Sequence, residues 1–106
     1  MEFKIEEVSG IGEYKVEDLV IKEEKRGQIF LAPNGKAFAV LNDGKTIEMR
    51  TDHNLGKMMA EKYESVMQSR YFGRGGIEIV LSGQLSLPEI YDFVRLSYNL
   101  TIEKTA

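Results

Sequence analysis

The chain has 106 residues, 42% hydrophobic and 29% charged, with a net charge of −3 and no cysteine. That length fits a single domain over residues 1–106, since domains peak at roughly 100–150 residues, and the composition lacks the low hydrophobicity of a disordered chain. The missing cysteine excludes disulfides, thiolate chemistry and cysteine-ligated zinc and fits a cytoplasmic location, and no apolar run reaches the ~18 residues of a membrane helix.

Residues 2–8 alternate charged and apolar side chains, which reads as a strand and contains no export-type apolar core. Residues 1–24 hold eight acids against three lysines, and the rest of the chain nine acids against eleven Lys and Arg. The second part is too mildly positive to be a basic footprint, yet leaves nucleic-acid binding open. The acidic pairs Glu6/Glu7, Glu17/Asp18 and Glu23/Glu24 are sequence neighbours. On a strand they face opposite sides and cannot work together on one substrate, so they read as solvated or as a docking surface for a basic partner.

A strand at about 19–24 precedes a turn at Lys25-Arg26-Gly27. Strands at about 28–32, 36–41 and 45–50 follow, because Asn34-Gly35 and Asp43-Gly44 have the chemistry of tight hairpin turns. The middle strand is apolar on both sides, with Phe38 and Val40 facing one way and Ala37, Ala39 and Leu41 the other, so it belongs inside the sheet. In the next strand Ile47 and Met49 face the core, while Thr46, Glu48 and Arg50 form a half-solvated side. Thr51 or Asp52 caps a helix over about 53–68, whose Leu55, Met58, Met59, Tyr63, Val66 and Met67 fall on one face.

The 69–76 loop concentrates Arg70, Tyr71, Phe72 and Arg74 among three glycines. Arginines can fork onto phosphate or carboxylate, aromatic rings can stack on bases, and glycines allow close backbone approach, so these four residues are candidate ligand or nucleic-acid contacts. The same residues can serve simply as a turn, with the aromatics plugging the core and the arginines solvated. Ile77, Ile79 and Leu81 then alternate as a strand. Ser86-Leu87-Pro88-Glu89 is a capping box opening a helix over about 87–100. Its main stripe is Leu87, Ile90, Tyr91, Val94 and Tyr98, and Phe93, Leu96 and Leu100 form a second stripe on the opposite side. That surplus fits either a well-buried helix, one that meets the N-terminal segment, or an interface with a protein partner or a second copy of the chain.

Other candidates are sparse. His53, the one histidine, stands beside Asp52 with no second histidine to complete a metal site and no serine or cysteine beside it. Gly44-Lys45-Thr46 imitates the end of a phosphate-binding loop, but it lies in a predicted hairpin and Ala39 stands where the first glycine belongs. Asn99-Leu100-Thr101 is formally a glycosylation sequon. Met58, Met59 and Met67 read as core filling. No catalytic group, cofactor or metal is expected.

Three segments, Gly35-Lys36-Ala37-Phe38-Ala39-Val40-Leu41, Glu78-Ile79-Val80-Leu81-Ser82-Gly83 and the closing Ser97-Tyr98-Asn99-Leu100, together with Ile47-Glu48-Met49-Arg50-Thr51-Asp52 leading into a helix, make residues 35–101 resemble the MmcQ/YjbR family. The Gly-Lys-x-Phe-Ala strand and the Ser-Tyr-x-Leu ending are the distinctive pieces. The resemblance implies an antiparallel sheet with helices on one face and brings with it a DNA-binding label, but no catalytic residues. The chain departs from the family in its strand-like start and in Gly75-Gly76-Ile77, where a tryptophan is usual. Together these readings give an α+β domain: an antiparallel sheet of about five strands, with helices at about 53–68 and 87–100 on one face. They describe a non-enzymatic interaction module, self-associating or bound to another protein, with nucleic-acid binding through the 69–76 loop as the alternative.

Overall fold

A computed structural model, which describes residues 2–22 and 25–103, shows an α+β arrangement. In chain order the elements are β1 (Lys15–Lys22), β2 (Lys25–Leu31), β3 (Ala37–Asn42), β4 (Thr46–Arg50), α1 (His53–Lys62), β5 (Val66–Ser69), β6 (Gly73–Val80) and α2 (Leu87–Glu103). The sheet has six strands in the order β1-β2-β3-β4-β6-β5, with every neighbouring pair antiparallel. The fold class is as the sequence implies, with one more strand than expected. No described helix is long and apolar enough to cross a membrane.

Local chemistry explains most element ends. Asp43 and Gly44 both have positive φ, 51° and 68°, and Lys45 donates to the Asn42 carbonyl, which closes the β3–β4 hairpin. Gly44-Lys45-Thr46 therefore turns a hairpin and opens no helix. The Asp52 carboxylate accepts from the Asn54 and Leu55 amides at the start of α1. At the start of α2, Ser86 and Glu89 bond reciprocally, Ser86 N–H to Glu89 and Glu89 N–H to Ser86.

Four expectations are corrected. Residues 25–27 are strand, not turn, and the first strand begins at Lys15; the Glu23/Glu24 pair lies outside the described residues. Residues 2–8 form no strand: they run alongside the sheet with one 3-10 turn at Ile5–Glu7, burying Phe3, Ile5 and Val8. The 53–68 helix stops at Lys62, because Tyr63 turns extended (φ −121°, ψ 126°) and Val66 pairs with Ile79. Residues 63–69 suit either state locally. Pairing with β6 decides it, since a strand there saturates the edge of β6 and buries Val66, worth ~1.5–3 kcal/mol. Met58 and Met67 consequently stay exposed, at 65% and 42%.

The fourth correction concerns β3. Phe30 pairs with Ala39 but Leu31 pairs with Ala37, so β3 carries one extra residue at Phe38. That bulge turns Phe38 to the same side as Ala39, where its ring meets Phe30 and stands edge-on to Tyr98 at 5.1 Å. Val40 is left on the opposite face. The core thus lies on one side of the sheet, with Phe30, Phe38, Ile47, Met49, Ile77 and Ile79 under Met59 of α1 and Ile90, Val94 and Tyr98 of α2. α2 lies along β3 and β4, and α1 along β5 and β6.

Candidate functional site

The face without helices carries a row of directly opposed residues crossing all six strands: Glu17, Ile29, Val40, Glu48, Glu78 and Met67. Alternation along β4 makes Glu48 look half-solvated. It is instead 3% exposed, and Glu78 beside it 2%. Both are shielded because the chain after β5 curls back over them.

That chain is the 69–76 loop, and the two glutamates hold it. Glu48 accepts from the Ser69 hydroxyl at 2.7 Å, the Tyr71 amide at 2.8 Å and the Asn42 side chain at 2.8 Å. Burial alone would raise its pKa; the Tyr71 amide, Asn42, Ser69 and the Arg70 amide outweigh it and hold the carboxyl below its ordinary value. Glu78 receives a two-pronged contact from Arg70, Nε at 3.0 Å and Nη2 at 2.8 Å, plus the Thr46 hydroxyl at 2.7 Å. The hydrogen bonds from Arg70 to Glu78, and the Glu78 charge, push the guanidinium's pKa up.

The four candidate contacts therefore have different fates. Arg70 is committed to Glu78, although its side chain is 71% exposed. Phe72 is half-buried, lies against Gly76 and sits beneath the Arg50 guanidinium, whose central carbon is 4.9 Å from the ring centroid. Arg50 is fixed in turn by donating Nε to the Ala37 carbonyl at 2.7 Å. Tyr71 stands edge-on to Phe72 at 4.9 Å and remains 50% exposed. Arg74 is elsewhere. Pairing between β5 and β6 jumps from Gln68–Ile77 to Ser69–Gly73, and the residues this leaves over on β6, 74–76, carry Arg74 round to the α1 side.

There Arg74 lines an open cleft of about 530 Å³ with His53, Lys57, Glu61 and Gln68 over Gly56, Ala60 and Gly76. Its size is in the range of small-ligand pockets, roughly 300–1,000 Å³. The sequence placed Arg74 with Arg70 and left His53 alone; the fold brings Arg74 and His53 to the same cleft instead. Lys57 was not singled out, and its only sequence signal is its place one turn beyond His53 on a helix.

The second stripe of α2 is divided. Phe93 is half-buried and packs against the core, Leu100 is half-buried, and Leu96 is exposed. The N-terminal segment takes the other flank of the helix: Tyr91 accepts from the Lys4 amide and donates to Glu7, Arg95 donates to Ser9, and Tyr98 donates to the Glu13 carbonyl. Among the described residues no group of three His, Asp or Glu could hold a metal ion. Compared with known protein families, with curated proteins and with solved structures, the chain matches none.

Proposed function

We propose that this chain is a non-enzymatic interaction module that associates with a second copy of itself through the outer flank of α2. The observation that carries this reading is the position of the N-terminal segment. It covers the Tyr91, Arg95 and Tyr98 flank, so Phe93, Leu96 and Leu100 lie on a flank it does not reach, with Leu96 at 53% exposure. Steps of three and four align the three residues along the helix. An apolar line on a rigid helix can meet its own copy about a twofold axis, which is the commonest route to a dimer. The non-enzymatic part is supported by the use made of Glu48 and Glu78, whose carboxylates are spent on holding a turn.

Membership of the MmcQ/YjbR family belongs to the same proposal. It is supported by the way its two distinctive pieces meet: Phe38 of the Gly-Lys-x-Phe-Ala strand packs against Tyr98 of the Ser-Tyr-x-Leu ending, and the Phe38 carbonyl accepts from Ser97 at 2.6 Å. Sedimentation equilibrium over a concentration series tests the dimer. The wild type should approach twice the monomer mass as concentration rises, while Leu96→Glu stays monomeric with an unchanged far-UV spectrum. A wild type that remains a monomer throughout rejects self-association.

Nucleic-acid binding is the second reading, favoured by Tyr71, half exposed beside an exposed Arg70 on the helix-free face. One stackable ring and one outward guanidinium edge would give weak, salt-sensitive binding to single strands. Tyr71→Ala should reduce it. Absence of salt-dependent binding to single-stranded DNA or RNA rejects this reading.

A further inference from the structure

We infer that the cleft between α1 and the 74–76 bulge of β6 binds a small phosphate monoester, with the phosphate held by Arg74, Lys57 and His53. The inference does not depend on the oligomeric state and uses residues away from the α2 flank.

The first ground is the state of the cations. Arg70 is held by Glu78, Arg95 by Asp92 at 2.8 Å, and Arg50 by the Ala37 carbonyl and the Phe72 ring. Of the four arginines whose side chains are described, Arg74 alone has a side chain with no ion pair or hydrogen bond to the described residues, and the same holds for the side chains of Lys57 and His53. Three donors from two elements thus converge on one cleft with their hydrogen-bonding capacity unspent. A guanidinium fork, an ammonium and an imidazole together match the several oxygens of a phosphate better than the two of a carboxylate.

The second ground is the floor. A side chain at Gly56 would run into Thr51 and Ile77, and one at Gly76 into Met49 and Phe72. The missing side chains point away from the cleft, so what faces it at both positions is bare backbone, open to close approach.

The third ground is size and sign. About 530 Å³ exceeds what a phosphate alone would fill and leaves space for an organic part beside Gln68 and Glu61, which can donate to and accept from hydroxyl groups. Glu61 also argues against a polyanion. A nucleic-acid strand would bring several phosphates to a cleft with three cationic groups at most and one acid, whereas a monoester brings one.

Amide chemical-shift titration of the intact chain tests this with inorganic phosphate, ribose 5-phosphate, ribose and a single-stranded oligonucleotide as probes. Phosphate and ribose 5-phosphate should shift the Gly56 and Gly76 amides, the ester binding more tightly than phosphate and ribose not at all. Arg74→Ala and Lys57→Ala should each weaken ester binding roughly tenfold or more, the worth of one charge-assisted contact. Lys45→Ala, in the β3–β4 turn, should leave it unchanged. Both mutated side chains in the cleft are exposed, so the variants should fold, and unchanged spectra away from the cleft verify that. The inference is overturned if neither phosphate probe shifts these amides at millimolar concentration, if the shifts survive Arg74→Ala, or if the oligonucleotide binds there more tightly than the ester.

Discussion

Glu48 on β4 and Glu78 on β6 stand directly opposite each other, both almost wholly removed from solvent. Two like charges in that relation destabilise a sheet unless each has its own donors. Here the donors come from one short stretch of chain, Ser69, Arg70 and the Tyr71 amide, supplemented by Asn42 and Thr46. The pair therefore works as a socket that fixes the 69–72 turn to the helix-free face.

Neutralising Glu48 should loosen that turn. Its donors all point inward, and Glu48→Gln turns one acceptor into a further donor among them, which should cost about 1–3 kcal/mol. Urea unfolding checks the cost. The pH dependence follows from the lowered pKa: a carboxyl held below its ordinary value of 4.5 adds stability in full above that value and loses it as pH falls through the lower folded value. Wild-type stability should thus fall on acidification below about pH 4.5 by more than that of Glu48→Gln.

Gly76→Ala should be more disruptive than an exposed glycine-to-alanine change. An added Cβ would fall 2.5 Å from the Met49 carbonyl oxygen and 2.6 Å from the Phe72 Cβ. The β4 backbone cannot retreat without breaking its pairing with β6, so Phe72 must leave its place under Arg50. A loss of about 2–3 kcal/mol is expected, with Phe72 and Arg50 resonances shifting together. An unchanged Phe72 environment would contradict the packing. This glycine does not serve a turn at all: it makes room for an aromatic ring.

How far the sequence could be read follows from these cases. Asp43-Gly44 and Ser86 to Glu89 are legible because the chemistry that fixes them lies within four residues. The stop of α1 at Lys62 is not, since residues 63–69 fit a helix or a strand and only the edge of β6 chooses between them. The loop arginines are legible as special but not as to role. Arg70 finds its partner eight residues on, in β6, and a bulge that no local pattern announces sends Arg74 to the other side of the sheet. Glu48 is misread for a related reason: strand alternation names the face, but not that a later loop will cover it.

Ser97 joins three elements through one hydroxyl. It accepts from the Arg50 amide at 2.8 Å and donates to the Phe38 carbonyl at 2.6 Å, tying α2 to the bulge of β3 and the end of β4. Ser97→Ala leaves both main-chain groups without that partner. Each such group costs ~1–3 kcal/mol, so a loss of at least about 2 kcal/mol is expected in urea unfolding, with amide exchange accelerated at Arg50. Equal exchange in the two proteins would show that the hydroxyl is not what holds α2 in place.

Thr51 offers the reverse change. Its hydroxyl is buried between the sheet and α1, and among the described residues no donor or acceptor reaches it. Gly56 lies directly over it: an alanine Cβ there would fall 2.8 Å from Thr51 Oγ1 and 3.3 Å from Ile77 Cγ2. A buried hydroxyl without a partner costs ~1–3 kcal/mol, and valine has nearly the same shape without that cost. Thr51→Val should therefore stabilise the fold by about 1 kcal/mol, raising Tm by about 4–8 °C, while Gly56→Ala should lower it despite the better helix propensity of alanine. A Tm for Thr51→Val at or below the wild-type value would mean that the hydroxyl is satisfied by a bound water, and that α1 rests on the sheet through a polar contact.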